Sequence, residues 1–141
     1  HRYSNTFHLE HQYKYKGILI EPVPEFYSKL IKNRPKCIHY RAAISDKEGT
    51  TRFIGKTPCA GISQTMTSTH KQKWHSKSTE FVVPTLPMSK ILRDKNIKYV
   101  DFFSLDVEGG ELEVLQTIPF KTIPFYVICI ELHSSADETR S

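Results

Sequence analysis

Apolar stretches separated by charged and turn-forming residues divide the chain into alternating strands and helices. Compact apolar runs that end in an acid, a proline or a glycine are typical of buried strands, whereas apolar residues repeated every three or four positions are typical of amphipathic helices. The pattern predicts strands over residues 18–20, 37–45, 50–54, 80–83, 99–107 and 125–132, and helices over 5–14, 24–33, from 89 onward and over 111–118. This alternation predicts parallel βαβ units, so we expect an α/β fold with a doubly wound, mostly parallel sheet.

Polar residues just before the predicted helices mark where those helices begin. Ser4 or Asn5 is expected to cap the first helix and Ser89 the third, because their side chains accept hydrogen bonds from N–H groups that lack a partner inside the helix. Pro24 suits the first turn of the second helix, since its φ angle is already helical and its missing N–H is not needed there.

The same pattern predicts which apolar side chains are buried. Ile18–Ile20 is an uninterrupted apolar run and is expected to be a fully buried strand. Leu112 and Leu115 are expected to share the buried face of the last helix. Two of the three cysteines, Cys37 and Cys129, fall in predicted strands and are expected to act as small buried hydrophobic residues.

Length and composition indicate a single globular domain. The chain has 141 residues, 38% of them hydrophobic and 25% charged, so we treat residues 1–141 as one domain with a polar insertion at residues 55–79. No apolar run approaches the ~20 residues needed to span a bilayer.

The net charge of +5 and the basic stretch 70–77 raise the question of whether the protein binds nucleic acid. We do not expect that partner, because charge runs are usually solvated surface and no base-reading motif is present.

Ionisable groups close three of the predicted strands. Glu21 closes the strand over residues 18–20, Asp106 and Glu108 close the strand that begins at residue 99, and Glu131 and His133 close the last strand. In an open α/β sheet, ligands bind outside the carboxyl ends of the strands. We therefore expect these side chains to converge on one cleft.

These groups have candidate chemical roles, and a structural explanation competes for some of them but not for Asp106 and Glu108. Glu21 is placed to accept two hydrogen bonds from a ribose diol, or it is a plain strand-end acid. Asp106 and Glu108 point to the same side of their strand, where two like charges need a cation, a proton or a ligand donor. The position of Glu111 favours stabilisation of a helix start over catalysis. His133 could act as a general base, or it is an isolated histidine without a catalytic role. The four groups after the last two strands could instead hold a hard divalent cation, although we assign no metal site.

Three segments of the chain resemble the FkbM-type methyltransferase domain. They are residues 4–10 (Ser-Asn-Thr-Phe-His-Leu-Glu), residues 16–24 (Lys-Gly-Ile-Leu-Ile-Glu-Pro-Val-Pro), and residues 99–115, which contain Asp-Val-Glu-Gly-Gly-Glu and are the more specific match. The first two segments are similar to a eukaryotic branch of the family that includes the animal membrane protein Star. The resemblance covers nearly the whole chain except residues 55–79.

The resemblance implies a Rossmann-like methyltransferase fold that uses S-adenosylmethionine, commonly for O-methylation of a hydroxyl group on a small molecule, a sugar or a lipid. It implies that Glu21 binds the ribose hydroxyls, that the region of Ala42 and Ala43 lies by the adenine, and that Asp106 lies near the methionine end of the cofactor. The expected cofactor-binding residues are Glu21, Pro22, Ala43 and Asp106. The expected catalytic residues are Asp106, Glu108 and His133.

Two parts of the family's pattern are not found in the chain. The first strand and its glycine-rich loop would precede Ser4, and the distal antiparallel strands would follow residue 133. The chain also opens on His1 rather than Met. We therefore expect the natural protein to be longer. We also expect residues 1–141 alone to be inactive and to bind S-adenosylmethionine poorly. In the family's fold the first strand lies between the strand that ends at Glu21 and the strand that ends at Asp106, so without it both would keep unpaired inner edges.

A non-catalytic function is the alternative hypothesis. The similarity to Star implies a membrane-trafficking or interaction protein that retains the methyltransferase fold, since a fold alone does not determine function. A membrane-anchoring segment could lie outside these residues, so the sequence leaves a cytoplasmic and a membrane-anchored protein equally open. Cofactor binding by the full-length protein discriminates between the two functions.

Overall fold

A computed structural model describes residues 4–54, 61–62, 80–107 and 110–131. The helices are α1 (Phe7–Tyr13), α2 (Pro24–Asn33), α3 (Met88–Asp94) and α4 (Glu111–Gln116). The strands are β1 (Ile18–Ile20), β2 (Ile38–Tyr40), β3 (Ala43–Ile44), β4 (Gly49–Ile54), β5 (Gly61–Ile62), β6 (Glu80–Leu86), β7 (Val100–Leu105) and β8 (Phe125–Ile130). This alternation confirms the predicted α/β class.

The strands form three small sheets rather than one large sheet. β1 pairs with β2 and β7 pairs with β8, both in parallel. The third sheet has the order β3-β6-β4-β5, in which β6 is parallel to β3 and antiparallel to β4. The predicted doubly wound, mostly parallel sheet is therefore not confirmed, because the sheets are small and mixed. Within the described ranges, β1 and β7 each pair along one edge only.

Several strand predictions change in detail. The strand predicted over residues 37–45 is divided into β2 and β3, which belong to different sheets, because the chain crosses from one sheet to the other at Arg41 and Ala42. β1 is half-buried rather than fully buried, since only one of its edges is covered by another described strand. The antiparallel strand predicted over residues 50–54 is confirmed as β4.

One apolar core supports both parallel strand pairs. Its buried members come from α3, from α4 and the turn after it, and from the ends of β3 and β7: Ile44, Met88, Ile91, Leu92, Leu105, Val114 and Ile118. Ile18 and Ile20 of β1 and Phe103 of β7 pack against this cluster. The two pairs therefore lie over the same core although no described ladder joins them, and hydrophobic burial is what holds them together.

The buried face of α4 differs from the prediction. Leu112 is 69% exposed, whereas Val114 and Ile118 are buried and Leu115 packs against the core. Residues at positions 114, 115 and 118 share one face of a helix, and position 112 lies away from it. The prediction for Leu115 is confirmed and the prediction for Leu112 is wrong.

The two predicted cysteine environments also differ. Cys37 is buried, as predicted, although it lies just before β2 rather than inside a strand. Cys129 lies in β8 but is exposed, so its predicted burial is wrong. All four residues from Tyr126 to Cys129 are exposed, so neither face of β8 is covered there by the part of the chain that the structure describes.

The predicted serine and asparagine caps are not used. α1 begins after Thr6 with no side-chain cap, and the side chain of Asn5 is instead bonded to Ser104 of β7. α3 begins at Met88 with Pro87 at its cap position, which places Ser89 inside the first turn. No helix among the described residues is long and apolar enough to cross a membrane.

A tertiary contact replaces the predicted cap of α3. The Met88 amide donates to Thr117 Oγ1 at 3.1 Å, and the Ser89 amide donates to the Thr117 carbonyl at 3.2 Å. Thr117 follows α4, so two N–H groups at the start of α3 are satisfied by the end of another helix rather than by a local side chain. This contact also fastens α3 to α4.

Candidate functional site

Glu21 is held in a fixed position at the end of β1. Its amide donates to the Tyr40 carbonyl at 3.0 Å, which extends the β1–β2 ladder by one residue. The Val23 amide donates to Glu21 Oε1 at 2.8 Å. Glu21 is half-buried, and burial raises the pKa of its carboxyl, an effect that the Val23 hydrogen bond offsets only in part. The result is an oriented carboxylate with acceptor positions beyond the one that Val23 occupies.

The turn after β1 packs against the start of β3. Val23 is 3% exposed and packs with Ala43 and Val83 in a second small apolar cluster. Pro22 connects Glu21 to Val23, so these contacts place the predicted residues Glu21, Pro22 and Ala43 in one neighbourhood. The packing explains the local sequence, because an apolar Val23 anchors the turn that orients Glu21.

The loop after β3 is in turn joined to α4. Ser45 Oγ donates to Glu113 Oε1 at 3.0 Å, across 68 residues of sequence. The same loop is held from a second side, since Lys90 Nζ of α3 lies 3.5 Å from Glu48 Oε1. Glu113 lies in the first turn of α4, which follows the chain segment that begins at Asp106. The contact therefore links the β3 side of the site to the Asp106 side.

Asp106 and Glu131 lie at the same end of the β7–β8 pair. Leu105 is opposite Ile130 in the parallel register, and the Glu131 amide donates to the Leu105 carbonyl at 3.0 Å. The residue that follows each strand is thus an acid, and both acids are exposed. The predicted neighbours Glu108 and His133 lie outside the described residues.

A side-chain bond joins the start of α1 to β7. Asn5 Nδ2 donates to Ser104 Oγ at 3.2 Å across 99 residues of sequence. Ser104 is two residues before Asp106, so α1 begins close to the end of β7. The bond is exposed to solvent, and the segment before α1 therefore borders the candidate site.

A buried polar cluster lies at the opposite end of β1 and β2. Arg34, at the end of α2, donates from Nε to Glu10 Oε2 and from Nη1 to Thr6 Oγ1 at 2.9 Å. The Cys37 thiol donates to the same Glu10 oxygen at 3.2 Å. Gly17 fits against this cluster without a side chain, since a Cβ there would lie 2.9 Å from Cys37 Sγ. We name these residues, Thr6, Glu10, Gly17, Arg34 and Cys37, the basal clamp.

Charge in the basal clamp is balanced inside the protein. Burial raises the pKa of Glu10, but the hydrogen bonds from Arg34 and Cys37 and the charge of the guanidinium outweigh it, so the pKa lies below its ordinary value. Burial, reinforced by the bond to Glu10, raises the pKa of Cys37, which keeps the thiol protonated and poorly nucleophilic. The clamp is therefore structural: it ties α1 to α2 and to the starts of β1 and β2.

No group of three or more His, Cys, Asp or Glu residues within the described ranges could hold a metal ion. The cation site considered from the sequence needs Glu108 and His133, which those ranges do not include. That alternative stays a prediction.

Sequence reasoning missed the contacts that join the site together. Ser45, Glu113, Asn5 and Ser104 form long-range hydrogen bonds that no local spacing predicts. Arg34 gave no signal either, because most arginines are exposed and the burial of this one depends on Glu10. The acidic residues in the first turn of α4 were visible, but a helix-start role accounts for such residues without a partner.

The mixed α/β fold, with helices between parallel strand pairs, is consistent with a methyltransferase domain. The chain matches the family described as the Methyltransferase FkbM domain over residues 1–141, and it therefore belongs to the FkbM methyltransferase family. No curated protein and no solved structure is significantly similar to it. Membership of the Star-like branch stays a prediction.

Proposed function

We propose that this protein transfers a methyl group from S-adenosylmethionine to a hydroxyl group of a small molecule, a sugar or a lipid. Membership of the FkbM methyltransferase family supports the reaction class. The observation that carries the cofactor assignment is Glu21, a half-buried carboxylate fixed by the Val23 amide at the end of a parallel strand. Such an acid is placed to accept hydrogen bonds from the two hydroxyls of a ribose.

The residues around Glu21 fit this cofactor. S-adenosylmethionine carries a ribose diol, a sulfonium cation and an ammonium group, and it has no phosphate. The described strand ends contribute the acids Glu21, Asp106 and Glu131, which suit hydroxyl donors and positive charge better than they suit a phosphate-rich nucleotide. The exposed Arg41, which follows β2 beside Glu21, adds a cation suited to the carboxylate of the ligand.

Named residues would hold the cofactor and assist the reaction. Glu21, Pro22 and Ala43 would line the adenosine part, and Asp106 the methionine part. When bound, the cofactor supplies an activated methyl group. Asp106 or His133 would accept the proton of the attacking hydroxyl and Glu108 would orient that hydroxyl, since methyl transfer needs mainly alignment and the removal of one proton.

Direct binding tests the cofactor assignment. Titration calorimetry of the full-length protein with S-adenosylmethionine should show binding, and Glu21→Gln should weaken it by at least about tenfold, because hydrogen bonds to a charged group contribute ~1.5–3 kcal/mol. The matched control is Glu25→Gln, which removes an exposed carboxylate from α2 and should leave the affinity unchanged. Equal affinity in the Glu21 and Glu25 variants would refute the assignment.

Turnover tests the catalytic assignment. Asp106→Asn should abolish methyl transfer in the full-length protein while its circular-dichroism spectrum and melting temperature stay the same, because Asp106 is exposed and contributes little to the core. Full activity in that variant would remove Asp106 from the mechanism. If the full-length protein binds no S-adenosylmethionine at all, the non-catalytic interaction function becomes the better explanation.

A further inference from the structure

Two segments next to the predicted site residues are joined by a side-chain contact. The loop after β3 contains Ser45, directly after the core residues Ala43 and Ile44. Helix α4 contains Glu113 in its first turn. Ser45 Oγ donates to Glu113 Oε1 at 3.0 Å in a partly buried hydrogen bond, which joins the loop to the helix.

The hydroxyl of Ser45 has a second acceptor within reach. Asp46 Oδ1 lies 3.3 Å from Ser45 Oγ, and a hydroxyl can donate only one proton at a time. Glu113 is the closer acceptor and is partly buried, whereas Asp46 is exposed, where water competes for it. The bond to Glu113 is therefore the stronger of the two bonds open to the Ser45 hydroxyl.

Both partners are anchored by the rest of the fold. The Ser45 amide donates to the Leu86 carbonyl at 3.2 Å, which extends the β3–β6 pairing past Ile44. Val114, next to Glu113, is 3% exposed in the apolar core. Both ends of the bond therefore belong to packed parts of the fold, and the bond joins the loop directly to the helix start.

We propose that Ser45 and Glu113 are positioning residues that hold the loop after β3 against the start of α4 and so set the width of the cofactor cleft. Neither residue needs to touch the cofactor. The loop continues from Ala43 beside Glu21, and α4 follows the segment that starts at Asp106, so the bond aligns the two sides on which the proposed function depends. This inference rests on that proposed function.

Variants of the two partners test the inference in the full-length protein. Ser45→Ala and Glu113→Ala should each weaken S-adenosylmethionine binding about tenfold by calorimetry, the scale of one hydrogen bond to a charged group. Glu113→Gln should restore most of the affinity, because its amide oxygen still accepts from the Ser45 hydroxyl. The matched control is Ser28→Ala, which removes an exposed serine bond to the Pro24 carbonyl on α2 and should leave the affinity unchanged.

A ligand-free measurement separates positioning from direct contact. Amide hydrogen exchange at residues 42–48 should be faster in Ser45→Ala and Glu113→Ala than in the unmodified protein, and it should return to normal in Glu113→Gln. Equal loss of affinity in Glu113→Gln and Glu113→Ala would indicate that the charge acts rather than the bond, and would overturn the inference. Unchanged affinity in Ser45→Ala would overturn it while the proposed function stands. Failure of the unmodified protein to bind would overturn the proposed function and this inference with it.

Discussion

Two glutamates, Glu10 in the basal clamp and Glu21 at the end of β1, are both withdrawn from water but behave in opposite ways. The side chain of Glu10 is 9% exposed and meets the guanidinium of Arg34, whose side chain is 6% exposed. Glu21 is half-buried and receives the Val23 amide. The pKa of Glu10 lies below its ordinary value and that of Glu21 lies above it.

The difference shows how a structural acid can be told from a candidate binding acid. Glu10 is charge-balanced by a residue of the protein itself, so a ligand would gain little from it. Glu21 is desolvated and pre-oriented with a single backbone donor, so ligand hydroxyls can supply the stabilisation that it lacks. Burial alone does not distinguish the two acids; the nature of the partner does.

Breaking the basal clamp should have the largest effect. Arg34→Met should lower the free energy of unfolding by about 3–5 kcal/mol, because it leaves the Glu10 carboxylate buried without its cation. Urea unfolding of the full-length protein measures this. An unfolding midpoint equal to that of the unmodified protein would show that the clamp does not hold the fold.

A second substitution controls for the loss of packing. Arg34→Met combined with Glu10→Leu removes both charges, so it should recover a large part of the lost stability, as replacement of buried pairs by apolar groups often does. The exposed pair Lys29–Glu25 on α2 is the reference for an ordinary ion pair. Lys29→Met should change stability by no more than about 0.5 kcal/mol.

Crowding the same clamp should have an intermediate effect. Gly17→Ala should destabilise the protein by about 1–3 kcal/mol, because the new Cβ would lie 2.9 Å from Cys37 Sγ and one of the two must move. Adding Cys37→Ala removes the sulfur and should make the Gly17 substitution much less costly. The comparison is a double-mutant cycle measured by urea unfolding, and strictly additive losses would contradict the proposed clash.

The smallest effect expected concerns pH. If the proposed function holds, the cofactor hydroxyls bind the ionised form of Glu21, and the affinity for S-adenosylmethionine should fall as pH drops through the Glu21 pKa. The fall is at most about tenfold per pH unit. Because burial raises this pKa, the fall should begin at a higher pH than an ordinary glutamate would produce. Calorimetry across pH measures it, and a profile that persists unchanged in Glu21→Gln would assign it to another group.

Glu10 has the opposite pKa shift and serves as the internal reference, because its effect appears in stability at a lower pH and not in cofactor binding. Its folded-state pKa is lowered, so its contribution to stability is present above the ordinary glutamate pKa and is lost as pH falls through the lowered value. In Glu10→Gln the acid side of the stability profile should become flatter, while the pH profile of cofactor binding should stay as it was.

The elements that local sequence predicted well are those whose boundaries depend on neighbours in the chain. α2 begins at Pro24 and ends at Asn33 as predicted, since proline favours the first turn and the apolar spacing is helical. The division of residues 37–45 into β2 and β3, and the exposure of Leu112 and Cys129, were not predictable. They depend on which other strands and helices cover each segment.

By itself the sequence determined the α/β class, the acids that follow the strands and the segments that identify the family, because each is a local property of residue order. Only the tertiary structure decided which acid is neutralised by a charged residue of the protein and which receives a backbone amide. A pKa depends on groups brought near in space, and the partner of Glu10 lies 24 residues away. The 68-residue separation of Ser45 and Glu113 hides their contact from the sequence for the same reason.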